Sequence, residues 1–208
     1  MGVALLTFAA AATLLIMAPG PDSLLVTRNF FRGGARAGLV TSAGTVSGLL
    51  LWSVAAALGL SALVAASRVG YDIVRVAGGC YLVWLGVQSL RSRGISPELG
   101  MADPQQRSPG LARAYLNGVL SNLLNPKIGV FFVAFLPGFI PAGAPVSITA
   151  AAFGGWFALE TGMWLAALVW LLHRGAGWLS TVAVRRWIDR VTGLVLIGFG
   201  LRVATEAR

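Results

Sequence analysis

The chain has 208 residues, 57% of them hydrophobic and 11% charged, with a mean hydropathy of +0.79. Soluble domains carry about 25% charged residues, so the composition excludes an ordinary soluble fold and indicates an all-α, polytopic membrane protein. The net charge of +9 does not point to nucleic acid, because the arginines are scattered between apolar runs with no basic face.

A membrane helix needs about 20 residues, and six stretches meet that length. The first lies near residues 3–28. Its start has the apolar core of a signal peptide but neither the basic flank nor a clear cleavage site, so it reads as a retained span. Pro19-Gly20-Pro21-Asp22 interrupts it. Prolines inside a helix free the carbonyls four residues back, here those of Leu15 and Met17. Bare carbonyls at membrane depth are tolerated only where protein or a water-filled cavity covers them. The second span lies near 37–66. Gly44 and Gly48 in it have the spacing of a close helix contact, read as ordinary packing. The third lies near 71–90 and carries Cys80, the chain's one cysteine, so no intramolecular disulfide forms. A polar linker, 92–112, holds Pro97, Pro104 and Pro109.

The fourth span, near 113–136, contains a second break at Asn125-Pro126-Lys127, where Pro126 frees the carbonyl of Asn122. Asn117, Ser121 and Asn125, spaced by four, share a face with Asn122 beside it. Their groups suit an amino-acid headgroup or water, or hydrogen bonds between helices. The fifth span, near 145–172, has Glu160 midway, flanked at four-residue spacing by Trp156 and Trp164. An acid between two aromatic rings suits an ammonium group, a transferable proton, or a neutral structural hydrogen bond. The sixth span lies near 187–204.

The two breaks correspond. Pro21 precedes Asp22 in the first span, and Pro126 precedes Lys127 in the fourth. Charges at the bilayer centre cost about 2.5–3.5 kcal/mol on insertion scales, so they are paired or functional. Asp22 and Lys127 form either a structural bridge or a binding site, and broken helices beside charge favour a transporter's midplane site. Ile73–Gly78 also resembles Ile188–Gly193, with four of six positions matching. The expected organisation is therefore one transmembrane domain over 1–208, made of two inverted three-helix repeats, about 1–91 and 113–208, with spans 1 and 4 broken. Loops 1–2, 3–4 and 5–6 and the adjoining helix ends carry eleven arginines against four on the other side. The positive-inside rule then places both termini outside and the linker in the cytoplasm.

Catalysis has little support. One histidine and one cysteine leave little for a metal site, no Ser-His-acid set is evident, and no cofactor is expected. Small-residue faces permit a homodimer without requiring one.

Met17-Ala18-Pro19-Gly20-Pro21-Asp22, then Asn122-Leu123-Leu124-Asn125-Pro126-Lys127 ahead of Phe135-Leu136-Pro137, resembles the LysE-type (RhtB-like) family of amino-acid exporters. The stretches 33–48 and 78–86 are similar to that family too. The resemblance covers essentially the whole chain. It implies an inner-membrane exporter of amino acids or their derivatives, driven by the proton-motive force, and it does not fix the substrate. On this reading Asp22 binds the substrate ammonium or exchanges a proton, and Lys127 meets the carboxylate. Competing readings are a carrier for another small metabolite or cation, and a structural membrane subunit.

Overall fold

The computed structural model describes residues 2–17, 20–66, 68–91 and 110–175, together with helical positions scattered between 187 and 201. Among the described residues every regular element is a helix. They are α1 (Gly2–Met17), α2 (Pro21–Ala66), α3 (Arg68–Arg91), α4 (Leu111–Leu123), α5 (Pro126–Val130) and α6 (Val146–His173). Between α5 and α6 the chain continues as a π-helical turn, Phe131–Phe135, and a 3-10 turn, Leu136–Phe139. Most of the expected linker, Pro19 and nearly half of the sixth span lie outside the described residues.

Two of these helices are long and apolar enough to cross a membrane. A third crossing forms if α4 and residues 126–139, bent by 49° at their junction, count as one span. At 1.5 Å per residue, the 28 residues of α6 reach about 42 Å, ample for a hydrocarbon core of about 30 Å.

α2 is not one straight rod. Its 46 residues contain Gly33 and Gly34 in non-helical conformations, with Gly34 at φ 70. That left-handed geometry suits a residue without Cβ. The fold-back is proved by a contact. Asn29 Nδ2 donates to Thr41 Oγ1 at 2.8 Å, whereas twelve residues along a straight helix span about 18 Å. α2 is therefore a hairpin, with a short arm, 21–32, and a long arm from 35 onward. The sequence places the end of the first span near residue 28. The structure carries it to Arg32, because two glycines suffice for the turn.

Helix directions follow from which residues meet. Gly44 abuts Tyr115 and Val119, and Gly48 abuts Asn122, so the long arm runs parallel to α4. Gly38 meets Val169, Val46 meets Gly162 and Ser53 meets Gly154, so it runs antiparallel to α6. Phe8 stacks on Phe153 at 4.6 Å and Thr13 reaches Glu160, so α1 runs parallel to α6. The approach is equally tight from the other side, at Gly118. A Cβ there would strike the carbonyl oxygen of Thr41 and lie 2.9 Å from the Thr45 nitrogen. The glycine pair expected to give ordinary packing thus lies in a backbone-to-backbone seam that seats α4 on α2.

α3 meets the C-terminal helical segment through a reciprocal contact. A Cβ on Gly86 would lie 2.6 Å from the carbonyl oxygen of Gly193 and 2.9 Å from the nitrogen of Ile197. A Cβ on Gly200 would lie 2.5 Å from the carbonyl oxygen of Gly79 and 2.8 Å from the nitrogen of Val83. Each contact maps onto the other when 114 is added to the α3 number. The matched hexapeptides, Ile73–Gly78 and Ile188–Gly193, imply an offset one residue larger.

The core is aromatic. Phe8, Phe131, Phe132, Phe153 and Phe157 are buried together where α1, α6 and the π-helical turn meet. Phe131 stacks on Phe157 with centroids 4.3 Å apart.

Candidate functional site

Of the three prolines that the sequence marks as breaks, the two described ones start helices rather than interrupt them. Pro21 is the first residue of α2 and Pro126 the first of α5. At that position the missing N–H has no helical partner to lose. Each junction is a true discontinuity, with α1 ending at Met17 before Gly20 and Pro21. Leu15 and Met17 fall in the last turn of α1, where carbonyls lack intrahelical donors. Asn122 differs from expectation. Its carbonyl accepts from the Asn125 N–H at 3.1 Å, so the turn after α4 closes on itself and leaves that oxygen engaged. Asn125 also caps α5, its Oδ1 accepting from the Lys127 N–H at 3.1 Å.

The two junctions meet at Asp22, which is only 8% exposed. Its Oδ1 accepts from Ser121 Oγ at 3.0 Å. Its Oδ2 accepts from Asn122 Nδ2 at 3.1 Å and from Asn125 Nδ2 at 3.3 Å. Such bonds to an ionised acceptor are about twice as strong as neutral ones. The carboxylate also sits in the first turn of a helix, where the macrodipole favours negative charge. Lys127 occupies the matching place at the start of α5 and lines the same cavity as Asp22. That cavity encloses about 350 Å³ of empty space, its open mouth included. Gly20, Ser23, Asn122 and Thr161 line it with apolar side chains from α1 and α6.

Asp22, Asn122, Asn125 and Lys127 therefore converge, as does Gly20. Glu160 does not join them. It lies between α1 and α6, where its Oε1 accepts from Trp156 Nε1 at 2.6 Å and its Oε2 from Thr13 Oγ1 at 3.5 Å. Trp156 and Thr13 are exposed, whereas Trp164 faces the Asp22 cavity. The two tryptophans expected to sandwich Glu160 are thus on different sides of α6. Among the described residues Asn117, one helical turn before Ser121 on α4, is not a partner of Asp22, whereas the turn after Leu123 brings Asn125 to Asp22 beside Asn122.

Ser23 and Thr161 are the cavity residues that sequence reasoning passes over. Thr161 shares a helical face with Phe157, Trp164 and Leu165, and that spacing was the available signal.

The LysE type translocator model matches residues 13–207. The chain belongs to the LysE family of translocators, and it is a multi-pass membrane protein. This chain is 29% identical over 201 residues to the threonine efflux protein of Escherichia coli K12, covering 95% of this chain and 96% of that one. It is 28% identical over 206 residues to the Bacillus subtilis protein named uncharacterized membrane protein YrhP, covering 95% and 97%. With the homoserine/homoserine lactone efflux protein of Salmonella typhimurium it shares 32% identity over 134 residues, 64% of this chain and 63% of that one. No solved structure matches.

Proposed function

We propose that this LysE-family chain is a secondary transporter that exports amino acids or amino-acid derivatives across the cytoplasmic membrane, coupled to the proton-motive force. The observation that carries the reading is the buried Asp22 carboxylate, held by Ser121, Asn122 and Asn125 where two helices restart, in a cavity that also holds Lys127. One negative and one positive group in a small cavity match the two ends of a zwitterion. Asp22 takes the ammonium or exchanges a proton, and Lys127 meets the carboxylate. Last-turn carbonyls of α1, Leu15 and Met17 among them, supply further ammonium acceptors. The breaks at residues 19–21 and at Pro126 let half-helices move between inward- and outward-open states. Glu160, outside this cavity, is a proton-carrying or structural group rather than a substrate ligand. The names of the threonine and homoserine efflux relatives agree with an amino-acid cargo. The reading assigns the chain no catalytic chemistry.

The architecture that goes with it is six spans in two inverted repeats. The reciprocal Gly86–Gly193 and Gly200–Gly79 contacts support it, because an antiparallel helix pair with reciprocal contacts is what a two-fold axis in the membrane plane generates. The helix directions support it too, the long arm of α2 being parallel to α4 and antiparallel to α6. Arg36, Arg113 and Arg174 converge at the end of the bundle where α2 folds back, since Gly38 meets Val169 and Thr41 meets Gly118. That end faces the cytoplasm by the positive-inside rule, with both termini outside.

Counterflow in proteoliposomes tests the function. Protein-containing vesicles preloaded with an unlabelled amino acid should accumulate the labelled one, and an imposed pH gradient should accelerate net efflux. Failure of every amino acid in a broad panel, with protein shown to be folded, would shift the reading to another metabolite.

A further inference from the structure

We infer that Thr161 is a specificity-determining residue of the Asp22 cavity, its hydroxyl pairing with a hydroxyl on the side chain of a small neutral amino acid. This rests on the export reading above and narrows it.

Thr161 is 8% exposed and lines the cavity. Its hydroxyl oxygen is buried and has no hydrogen-bond partner among the described residues. Helical hydroxyls ordinarily bond back to the carbonyl four residues earlier. Thr27, Thr41, Ser42 and Ser47 all do so, reaching the carbonyls of Ser23, Ala37, Gly38 and Ala43. Thr45 and Thr149 share with Thr161 a buried hydroxyl lacking a partner, but neither lines the cavity. A buried polar group without a partner is unfavourable, so a ligand group that pairs with it is selected over one that does not.

The rest of the wall sets the size and charge of that ligand. Among the described residues, Asp22 and Lys127 are the two charged side chains on it, one of each sign. A zwitterion's ammonium and carboxylate occupy both, leaving no counter-charge for a lysine-like side chain. Beyond them the wall is Leu15, Ile16, Ile128, Phe157 and Trp164, apolar and bulky. A short side chain with a single hydroxyl fits that lining. Its isostere with a methyl in place of the hydroxyl fits equally well by volume but leaves Thr161 unpaired. Sites that hydrogen-bond a substrate hydroxyl discriminate strongly against the analogue lacking it.

The test uses the threonine–valine pair, which differs in that one group. In proteoliposome counterflow with labelled threonine, unlabelled threonine should compete about tenfold better than valine on wild-type protein. Thr161→Val, isosteric and apolar, should bring the ratio near unity with valine's own competition kept, and Thr161→Ser should restore the preference. An unchanged ratio in Thr161→Val, or a wild type that carries amino acids without favouring the hydroxyl, would overturn the assignment and leave export standing. A wild type that exchanges no amino acid would overturn both.

Discussion

Asp22→Asn is expected to lower export on the order of 10²-fold or more while leaving the protein folded in the membrane. The asymmetry comes from the geometry around the carboxylate. Asn122 and Asn125 both donate to Oδ2, and Ser121 donates to Oδ1. An asparagine at this position can turn its carbonyl oxygen to the two amides and its NH2 group to Ser121, whose hydroxyl accepts as readily as it donates. The hydrogen bonds between α2 and α4 therefore survive the change. What disappears is the negative charge that faces Lys127 across the cavity. A substrate ammonium then meets a neutral amide in a largely buried site, and losing one partner of a buried charge pair costs about 2–5 kcal/mol. Export rates in loaded cells, normalised to membrane-inserted protein, give the comparison. Wild-type export by this variant would remove Asp22 from the mechanism.

Gly118→Leu is expected to abolish the folded state instead. Its Cβ would enter the space of the Thr41 carbonyl oxygen and lie 2.9 Å from the Thr45 nitrogen. Both neighbours are main chain, so no side-chain rotation relieves the clash and α4 must leave α2. Overpacking a tight contact costs about 1–3 kcal/mol when side chains can adjust, and occasionally more, and here they cannot. The shift also pulls Ser121 and Asn122 from Asp22, so site and fold are lost together. Gly155→Ala is the control. Nothing lies within 4 Å of a Cβ there, and alanine gains about 1 kcal/mol in helix propensity. Thermal unfolding in detergent should show a large fall for the first variant and no fall for the second. Equal melting temperatures would mean that the α2–α4 seam does not hold the bundle.

How much of this was legible beforehand depends on the range of the signal. Proline acts on its own backbone, so both discontinuities, with Asp22 and Lys127 one residue beyond them, could be read from the sequence. The polar stripe on α4 was half legible. Periodicity of four assigns Ser121 and Asn125 to one face, but it holds only while the helix continues, and α4 stops at Leu123. Asn122 and Asn125 reach Asp22 together because the chain turns between them. The free carbonyl expected at Asn122 is missing for the same reason, since the turn supplies a donor. Glu160 shows the opposite failure. Four-residue spacing places Trp156 and Trp164 near its face, yet eight residues of helix drift far enough for Trp156 to be exposed while Trp164 lines the cavity. Thr161 was invisible because an ordinary threonine in an apolar helix gains meaning only when its hydroxyl is seen to be unpaired. The matched hexapeptides are 115 residues apart, whereas the reciprocal glycine contacts are related by an offset of 114, a register that only the touching glycines reveal.

On the proposed function, substrate occupies the cavity shared by Asp22 and Lys127. Ser23 lines that cavity beside Asp22, and Cys80 is the chain's one native cysteine and is exposed. Ser23→Cys in a Cys80→Ala background puts a single thiol at the proposed site with little change in volume. The measurement is the rate at which a small membrane-permeant thiol reagent modifies it, with and without a transported amino acid. Bound substrate should slow the reaction several-fold, with a concentration dependence that follows transport. A rate that saturating substrate leaves unchanged, in protein that still transports, would place the binding site elsewhere.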